Sequence, residues 1–359
     1  MQKKVAIITW HNYPNFGSAL QAYALHTYIN KKNGNATIIN YINGTKPSLY
    51  SIRLVLSLFD RFIPNFISKK IHYRFISFEH KYFKETKEIN SRVELEKLSE
   101  QFDCFICGSD QIWAPNVFND IYMLSFVPEH KEKYSYAASI GLPHIPASLK
   151  QTYATLLRRF NLISVREKQA KDLLKNDFNI DSQLVLDPTL LLSSLEWNEI
   201  IKKSPIKSES YILCYFLGTN QTHREIAKEL AHKLNCKAII LSRYNSDRFF
   251  DFTIDSDAGP KEFLRYIRDA KLIITDSFHG LCFSINFNKD FYVVNRFTES
   301  DPINQNSRIK NILEILNLEN RLIDATPQTI SSINYTAANK KLEEMRTISY
   351  NFISEILNN

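Results

Sequence analysis

Glycine and proline are scarce in this chain, with 8 and 12 among 359 residues, and charged residues make up 23%. These proportions exclude a collagen-like, low-complexity or disordered polypeptide. The sequence also lacks an apolar run long enough to cross a bilayer, and its first apolar run, at 5–8, is too short for a signal peptide. We therefore expect a soluble protein of the cytoplasm that folds throughout.

Cysteine is scarce too, and its arrangement argues against disulfides and metal. The five cysteines are an odd set scattered through apolar runs, as reduced thiols in a cytosol would be. Cys104 and Cys107 form a C-x-x-C pair, but they lie in the strand-like run at 102–107. Residues three apart in a strand point to opposite faces. We expect no metal site, no redox role and no bound cofactor.

Positive charge is concentrated in one segment. Residues 46–84 contain eight lysines and arginines against two acidic residues, which is +6 of a net charge of +7. Apolar residues alternate with these cations, which is typical of an amphipathic surface that meets anionic lipid or a diphosphate-linked glycolipid at the cytoplasmic membrane. The alternative is a helix that covers a sheet while its lysines reach water. Without a recognised nucleic-acid module, we expect no nucleic-acid partner.

Short apolar runs alternate with helical patterns along the chain, which predicts mostly parallel sheets covered by helices. In the first half, the sequence predicts strands at 5–9, 37–41, 104–107, 134–137, 162–165 and 183–186. It predicts helices at 18–30, 49–81, 149–159 and 168–175.

A polar connection around Ser193 and the stretch 202–208 separates this half from a second series of the same kind. There the sequence predicts strands at 211–216, 238–241, 272–275 and 291–294, and helices at 223–234, 260–269, 278–287 and 307–316. The tail at 337–357 is amphipathic.

These patterns predict an α/β protein of GT-B-like architecture, with two Rossmann-like domains of mostly parallel sheets that face each other across a cleft. Residues 1–190 would form the N-terminal domain with the basic segment 46–84, and 191–330 the C-terminal domain. Residues 331–359 would form a helix that packs back on the first domain.

Ligands of open α/β sheets bind beyond the carboxyl ends of the strands, and unusual polar residues follow several predicted strands. His279 follows the run at 272–277 and precedes a helix start at Gly280. An imidazole at that place adjoins anion-binding amides and suits proton transfer beside a phosphate. The alternative is a histidine that only caps and packs.

Arg166 comes at the end of another buried run. Its planar guanidinium matches a phosphate or a carboxylate. The alternative is an intramolecular bridge to Glu167 or Asp187.

A further group follows the strand at 104–107, where Ser109, Asp110, Gln111 and Trp113 offer a hydroxyl, a carboxylate, an amide and an indole. Such groups together often hold a carbohydrate, although the same residues could form only a turn with an Asx cap. The loop from His11, through Asn15 to Gly17, could bind an anion or only cap the helix that follows it.

Taken together, these strings resemble the polysaccharide pyruvyl transferase family. The matching pieces occur in family order, from Asn15 to Arg308, and cover most of the chain. They are NFGSALQ at 15–21, CGSDQIW at 107–113, SIG at 139–141, SVRE at 164–167, DPTL at 187–190, DSFHG at 276–280 and SRI at 307–309.

The resemblance implies a GT-B-like fold and phosphoenolpyruvate as donor, with a pyruvate ketal or enol ether on a surface polysaccharide precursor as product. It implies that His279 is the catalytic histidine and that Arg166 binds the donor. Many members have an arginine where this chain has Ser277, which would itself contact the substrate. The second cation on the donor must then come from elsewhere, and Arg308 and Arg296 are the candidates. The acceptor would be a sugar or a lipid-linked oligosaccharide, bound on the side of the N-terminal domain, with the donor on the side of the C-terminal domain.

Ketal formation requires protonation of the methylene carbon of the donor, attack by one sugar hydroxyl, loss of phosphate and attack by a second hydroxyl. We predict that His279 supplies the proton or assists phosphate departure, that Arg166 holds the carboxylate or phosphate, and that Asp110 orients or deprotonates the acceptor. Two other functions remain open: a GT-B glycosyltransferase that uses a nucleotide sugar, and a non-catalytic glycan-binding assembly protein.

Overall fold

The computed structural model describes residues 2–42, 69–201, 210–242 and 244–358. The chain forms two compact units, each with its own parallel sheet. Unit 1 comprises Met1–Lys69, Phe75–Leu191 and Met345–Asn359, and unit 2 comprises Lys70–Arg74 and Leu192–Glu344.

The sheet of unit 1 has six parallel strands, in the order β2-β1-β3-β4-β5-β6. Its central strands are buried and consist mostly of apolar residues, as expected for a sheet covered on both faces. The strands are β1 (Lys4–Ile8), β2 (Asn35–Ile38), β3 (Cys104–Cys107), β4 (Glu132–Ala138), β5 (Leu162–Val165) and β6 (Gln183–Leu184).

Helices cover this sheet, and their starts follow from local sequence. The helix α1 (Phe16–Lys31) is capped by Asn15, whose side chain accepts a hydrogen bond from the Ser18 amide. The ring of Phe16 stacks on Phe75 of the helix α2 (Lys69–Tyr82) at 5.6 Å between centroids. The remaining helices of the unit are α3 (Arg92–Ser99), α4 (Ala147–Leu157) and α5 (Lys168–Phe178).

Unit 2 has a five-stranded parallel sheet in the order β11-β10-β7-β8-β9. The strands are β7 (Tyr211–Tyr215), β8 (Lys237–Ile240), β9 (Thr253–Ile254), β10 (Leu272–Thr275) and β11 (Phe291–Val293). The helices are α6 (Ser194–Ile201), α7 (Gln221–Lys233), α8 (Pro260–Asp269), α9 (Phe278–Asn286) and α10 (Ser307–Leu316).

The last helix, α11 (Tyr335–Asn358), carries hydrogen bonds to the loop after β6. Arg346 donates to the carbonyl of Leu190, and Tyr350 donates to the carbonyl of Leu191, at 2.7 and 2.8 Å. The hydroxyl of Ser349 accepts the amide of Leu186. The end of α11 therefore fixes the loop after β6 by hydrogen bonds.

The structure contains every strand that the sequence predicts, most of them displaced by one to three residues at an end. Among the α-helices and strands of the described residues, α3, α6 and the two-residue strand β9 were missed. The prediction that the stretch around Ser193 is only a polar connection is wrong, because Ser193 and Glu196 cap α6 with reciprocal hydrogen bonds.

The basic segment 46–84 is described in part. Residues 46–68, and with them most of the helix predicted at 49–81, lie outside the described residues. In α2, Phe75 and Phe78 are buried, while Arg74 donates to the carbonyl of Asp257 at 2.8 Å and Lys70 lies 3.6 Å from the Asp257 carboxylate. In the described ranges, no helix is both long enough and apolar enough to span a bilayer.

Burial of His26 makes the stability of unit 1 depend on pH. His26 of α1 is 7% exposed, and desolvation lowers its pKa from 6.5 to about 4. The neutral ring therefore stabilises unit 1 fully above the unfolded-state pKa of 6.5, and this stabilisation is lost as the pH falls towards 4.

We expect His26→Gln to flatten the acid dependence of the unfolding free energy. Between about pH 7 and about pH 4.5 the wild type should lose roughly 2–3 kcal/mol more than the variant. Urea unfolding of both proteins at the two pH values measures the difference, and parallel losses would contradict the assignment.

Candidate functional site

The motif residues of unit 1 meet at the carboxyl edge of its sheet in one hydrogen-bond network. Gln21 of α1 donates to the hydroxyl of Thr9 and accepts the amide of Ser109, at 2.9 and 3.0 Å. The Glu167 carboxylate accepts the hydroxyl of Ser139 and the amides of Ile140 and Gly141, each within 3.0 Å. Loops that are distant in the chain are therefore fixed together at this edge.

Two glycines permit the close approach of these loops. Gly108 has φ +124°, and a Cβ there would lie 2.1 Å from the carbonyl oxygen of Tyr136. Gly141 has φ +69°, and a Cβ there would lie 2.4 Å from Nε2 of Gln111. Gly108 needs glycine for its backbone angle and for the space it leaves, whereas Gly141 needs it for its backbone angle, because the end of the Gln111 side chain could move away.

Arg166 lies inside this network with 3% of its surface exposed. It donates to the Asp187 carboxylate at 2.7 Å, and carboxylate oxygens of Asp110 and Glu167 lie at 3.7 and 4.0 Å. Burial lowers the pKa of this guanidinium, but the three carboxylates more than offset that and raise it. The structure thus contains the intramolecular bridge to Asp187, and the predicted contact of Arg166 with the donor stays a prediction.

The sequence predicts that Trp113 helps to hold a carbohydrate, and its position in the structure contradicts this. Its indole is fully buried, packs edge-on against Phe160 at 5.5 Å and donates to the carbonyl of Tyr122. An indole that fills the core has no face left for a ligand.

The other predicted residues of this edge hold the loops together. Asp110, with φ +72°, accepts the hydroxyl of Ser18 and the amide of Gln111, so its predicted action on an acceptor hydroxyl stays a prediction. Asn15 caps α1, Gly17 lies in the buried first turn, and the Ser109 hydroxyl donates to Ala137. Gln111 is half-buried, and its Nε2 has no hydrogen-bond partner among the described residues.

In unit 2, Asp276 joins two loops at the carboxyl edge of the sheet. Its carboxylate accepts the amides of Leu217 and Gly218, at 2.6 and 2.8 Å, from the loop after β7. Burial raises the pKa of Asp276, while these amides and the nearby charge of Arg296 act in the opposite direction. Asp276 therefore holds the loop after β7 against the loop after β10.

His279 is the second residue of α9 and is 8% exposed. The hydroxyl of Ser277 caps this helix by accepting the amide of Gly280, so the predicted contact of Ser277 with substrate competes with capping. The His279 ring lies edge-on to Phe278 at 5.3 Å, and the guanidinium of Arg308 lies over the same Phe278 ring at 5.9 Å. An imidazole and an arginine thus flank one aromatic ring at the start of α9.

Arg296, the other candidate cation, lies in the loop after β11. A Cβ on Gly218 would lie 3.1 Å from Cγ of Arg296, and the guanidinium lies 4.6 Å from the ring of Phe297. Sequence reasoning missed His223 and Asn295, which line a cavity together with Arg296. A histidine in the first turn of the helix after a predicted strand was the available signal for His223, as it was for His279.

The solved structures that this chain resembles define its class. UDP-GlcNAc 2-epimerase from Neisseria meningitidis bound to UDP-GlcNAc has a TM-score of 0.54 and 12% identity over 100% of both chains. UDP-GlcNAc 2-epimerase from Methanocaldococcus jannaschii has a TM-score of 0.51 and 14% identity, over 97% of this chain and 100% of that one. These likenesses confirm the GT-B-like fold, and at such identities they concern the fold alone.

The family follows from the sequence itself. The polysaccharide pyruvyl transferase model matches residues 15–296, well over half of the chain, so the chain belongs to the polysaccharide pyruvyl transferase family. The predicted resemblance is confirmed, and membership implies a pyruvyl transferase enzyme. No curated protein sequence matches the chain significantly.

Proposed function

We propose that this protein transfers the pyruvyl group of phosphoenolpyruvate to sugar hydroxyls of a bacterial surface polysaccharide precursor and releases phosphate. The observation that carries the proposal is the position of His279, within the matched region and at the start of α9, beside the same Phe278 ring that Arg308 covers.

His279 would protonate the methylene carbon of the donor. The resulting oxocarbenium-like carbon is attacked by one sugar hydroxyl, the bond to the phosphate oxygen breaks, and a second hydroxyl of the same sugar closes the ketal. One phosphate leaves for each ketal formed, and the protons of the two hydroxyls return to the medium and to the imidazole. Positioned side chains accelerate such proton transfers by about 10²–10⁴-fold.

Arg308 would hold the phosphate or carboxylate of the donor. Its guanidinium is 7% exposed and is oriented by Gln305, whose backbone carbonyl and side-chain oxygen accept from Nε and Nη2 at 3.3 and 3.1 Å. A planar guanidinium that is held in one orientation in this way is suited to binding an oxyanion. Arg166 is left out of this role because its charge is already balanced inside unit 1.

The experiment is incubation of the purified protein with phosphoenolpyruvate and a fraction of lipid-linked surface oligosaccharides. We expect release of inorganic phosphate together with a pyruvyl mass increment on the glycan. A parallel incubation with UDP-GlcNAc in place of phosphoenolpyruvate tests the nucleotide-sugar alternative. Release of UDP without phosphate release from phosphoenolpyruvate would overturn the proposal in favour of that alternative.

A further inference from the structure

A cavity of about 340 Å³ opens at the carboxyl edge of the sheet of unit 2. Asn220, Thr222 and His223 line it from the start of α7, and residues 294–299 line it from the loop after β11. Its size lies within the range of small-molecule sites in proteins.

The topology of the sheet explains why a cavity forms there. The chain passes from β7 to β8 in one direction across the sheet and from β10 to β11 in the other. Right-handed crossovers therefore place α7 and α9 on opposite faces, and the loops after β7 and β10 diverge. His223 and His279 thus begin helices on different faces of one sheet.

Three buried polar atoms of the cavity residues have no hydrogen-bond partner among the residues that the structure describes. They are Nδ1 of His223, Oδ1 of Asn295 and Nε of Arg296. His223 itself is 5% exposed. Buried polar atoms in proteins are nearly always hydrogen-bonded, so three without a partner on residues that line one cavity indicate a ligand that would satisfy them.

The protonation state of His223 decides whether its Nδ1 donates or accepts a hydrogen bond. Burial, and after it the charge of Arg224, lowers the pKa of His223 to about 4, while a hydrogen bond to the backbone of Asn295 partly opposes this. At neutral pH the ring is therefore uncharged. Because the nitrogen that bonds to the Asn295 backbone carries the proton, Nδ1 is an acceptor.

The cavity thus presents two buried acceptors, on His223 and Asn295, and one buried donor, on Arg296. Hydroxyl groups donate and accept at once, so adjacent hydroxyls on one ring satisfy all three. The residues that line the cavity include one cation, Arg296, and two carboxylates, Asp324 and Glu299, of which Glu299 pairs with Lys310 at 2.6 Å. The lining therefore suits a hydroxyl-rich ring better than a highly charged anion.

We propose that this cavity binds a sugar ring through vicinal hydroxyls that contact His223, Asn295 and Arg296. The ring would be either a hexopyranose of a glycan or the ribose of a nucleotide. The cavity would bind it whether or not His279 transfers a proton, and Arg296 belongs to this cavity rather than to the donor.

Saturation-transfer difference NMR on the full-length protein tests this, with the methyl pyranosides of glucose, galactose and mannose in one arm and uridine diphosphate in the other. We expect saturation of ring protons in one arm. Pyranoside signals would identify a glycan sugar, signals from the ribose of the nucleotide would identify a nucleotide, and both outcomes support the cavity. Absence of signal from all four probes would overturn it.

The variant Asn295→Leu should weaken binding of the probe without destabilising the fold. Leucine has a similar volume and removes an acceptor that is unpaired in the free protein, so we expect unchanged or slightly higher thermal stability. Affinity for the probe should fall at least about tenfold, which corresponds to about 1.4 kcal/mol. His232→Ala, an exposed change on α7, should bind normally, as should His279→Ala. Unchanged affinity in the Asn295 variant, or lost affinity in the His279 variant, would overturn the assignment.

Discussion

Replacing His279 with alanine should lower the rate of phosphate release from phosphoenolpyruvate by about 10²–10⁴-fold, because the reaction would lose its proton donor. The loss should appear mainly in kcat, since Arg308 would still hold the donor. A coupled phosphate assay at saturating phosphoenolpyruvate measures the effect. His279→Gln, which keeps the size of the side chain, should be equally impaired.

The matched control is His232→Ala in the same unit. That histidine is exposed on α7, so its removal should leave the rate within twofold of wild type, roughly the effect of a neutral surface change. Circular dichroism and thermal melting of all three variants should coincide with wild type. Turnover retained in a folded His279 variant would show that the imidazole only packs against Phe278.

Replacing Arg166 with methionine should destabilise unit 1 by about 3–5 kcal/mol, since it leaves buried carboxylates without their counter-charge. The carboxylates are those of Asp187, Asp110 and Glu167, within 4.0 Å of the guanidinium. Activity should fall because less protein is folded. Urea unfolding followed by far-ultraviolet circular dichroism measures the loss.

Arg158→Met provides the comparison, because Arg158 is exposed on the same unit and its loss should cost no more than about 0.5 kcal/mol. The family resemblance implies a different outcome, in which Arg166 binds the donor. An Arg166 variant with wild-type stability and a raised KM for phosphoenolpyruvate would favour that role over the buried ion cluster.

The strands at 104–107, 162–165 and 272–275 could be predicted to the residue because each is a short apolar run bounded by turn-forming residues. The helices α3 and α6 were missed although both begin with Ser-x-x-Glu. Ser91 with Glu94, and Ser193 with Glu196, form capping boxes that the sequence displays. Both helices are only 8 residues long, so their apolar pattern was too short to predict a helix.

The sequence predicts where the motif residues lie in the fold better than it predicts which side chains they contact. Parallel strands end at one edge, so the loops around Asp110 and Arg166 were expected to lie close together. Whether Arg166 meets a ligand or Asp187 depends on side chains brought together only by folding. The burial of Trp113 depends likewise on Phe160 and Tyr122, and neither local pattern nor spacing encodes such packing.

The path of α11 has a practical consequence for dividing this enzyme into fragments. Residues up to Glu344 belong to unit 2, and those from Met345 onwards belong to unit 1, where Tyr350 stacks on Tyr28 at 4.8 Å. A stop codon that removes only the last turns would therefore damage the fold of the amino-terminal half. Any attempt to express that half alone must supply residues from Met345 onwards as a second piece.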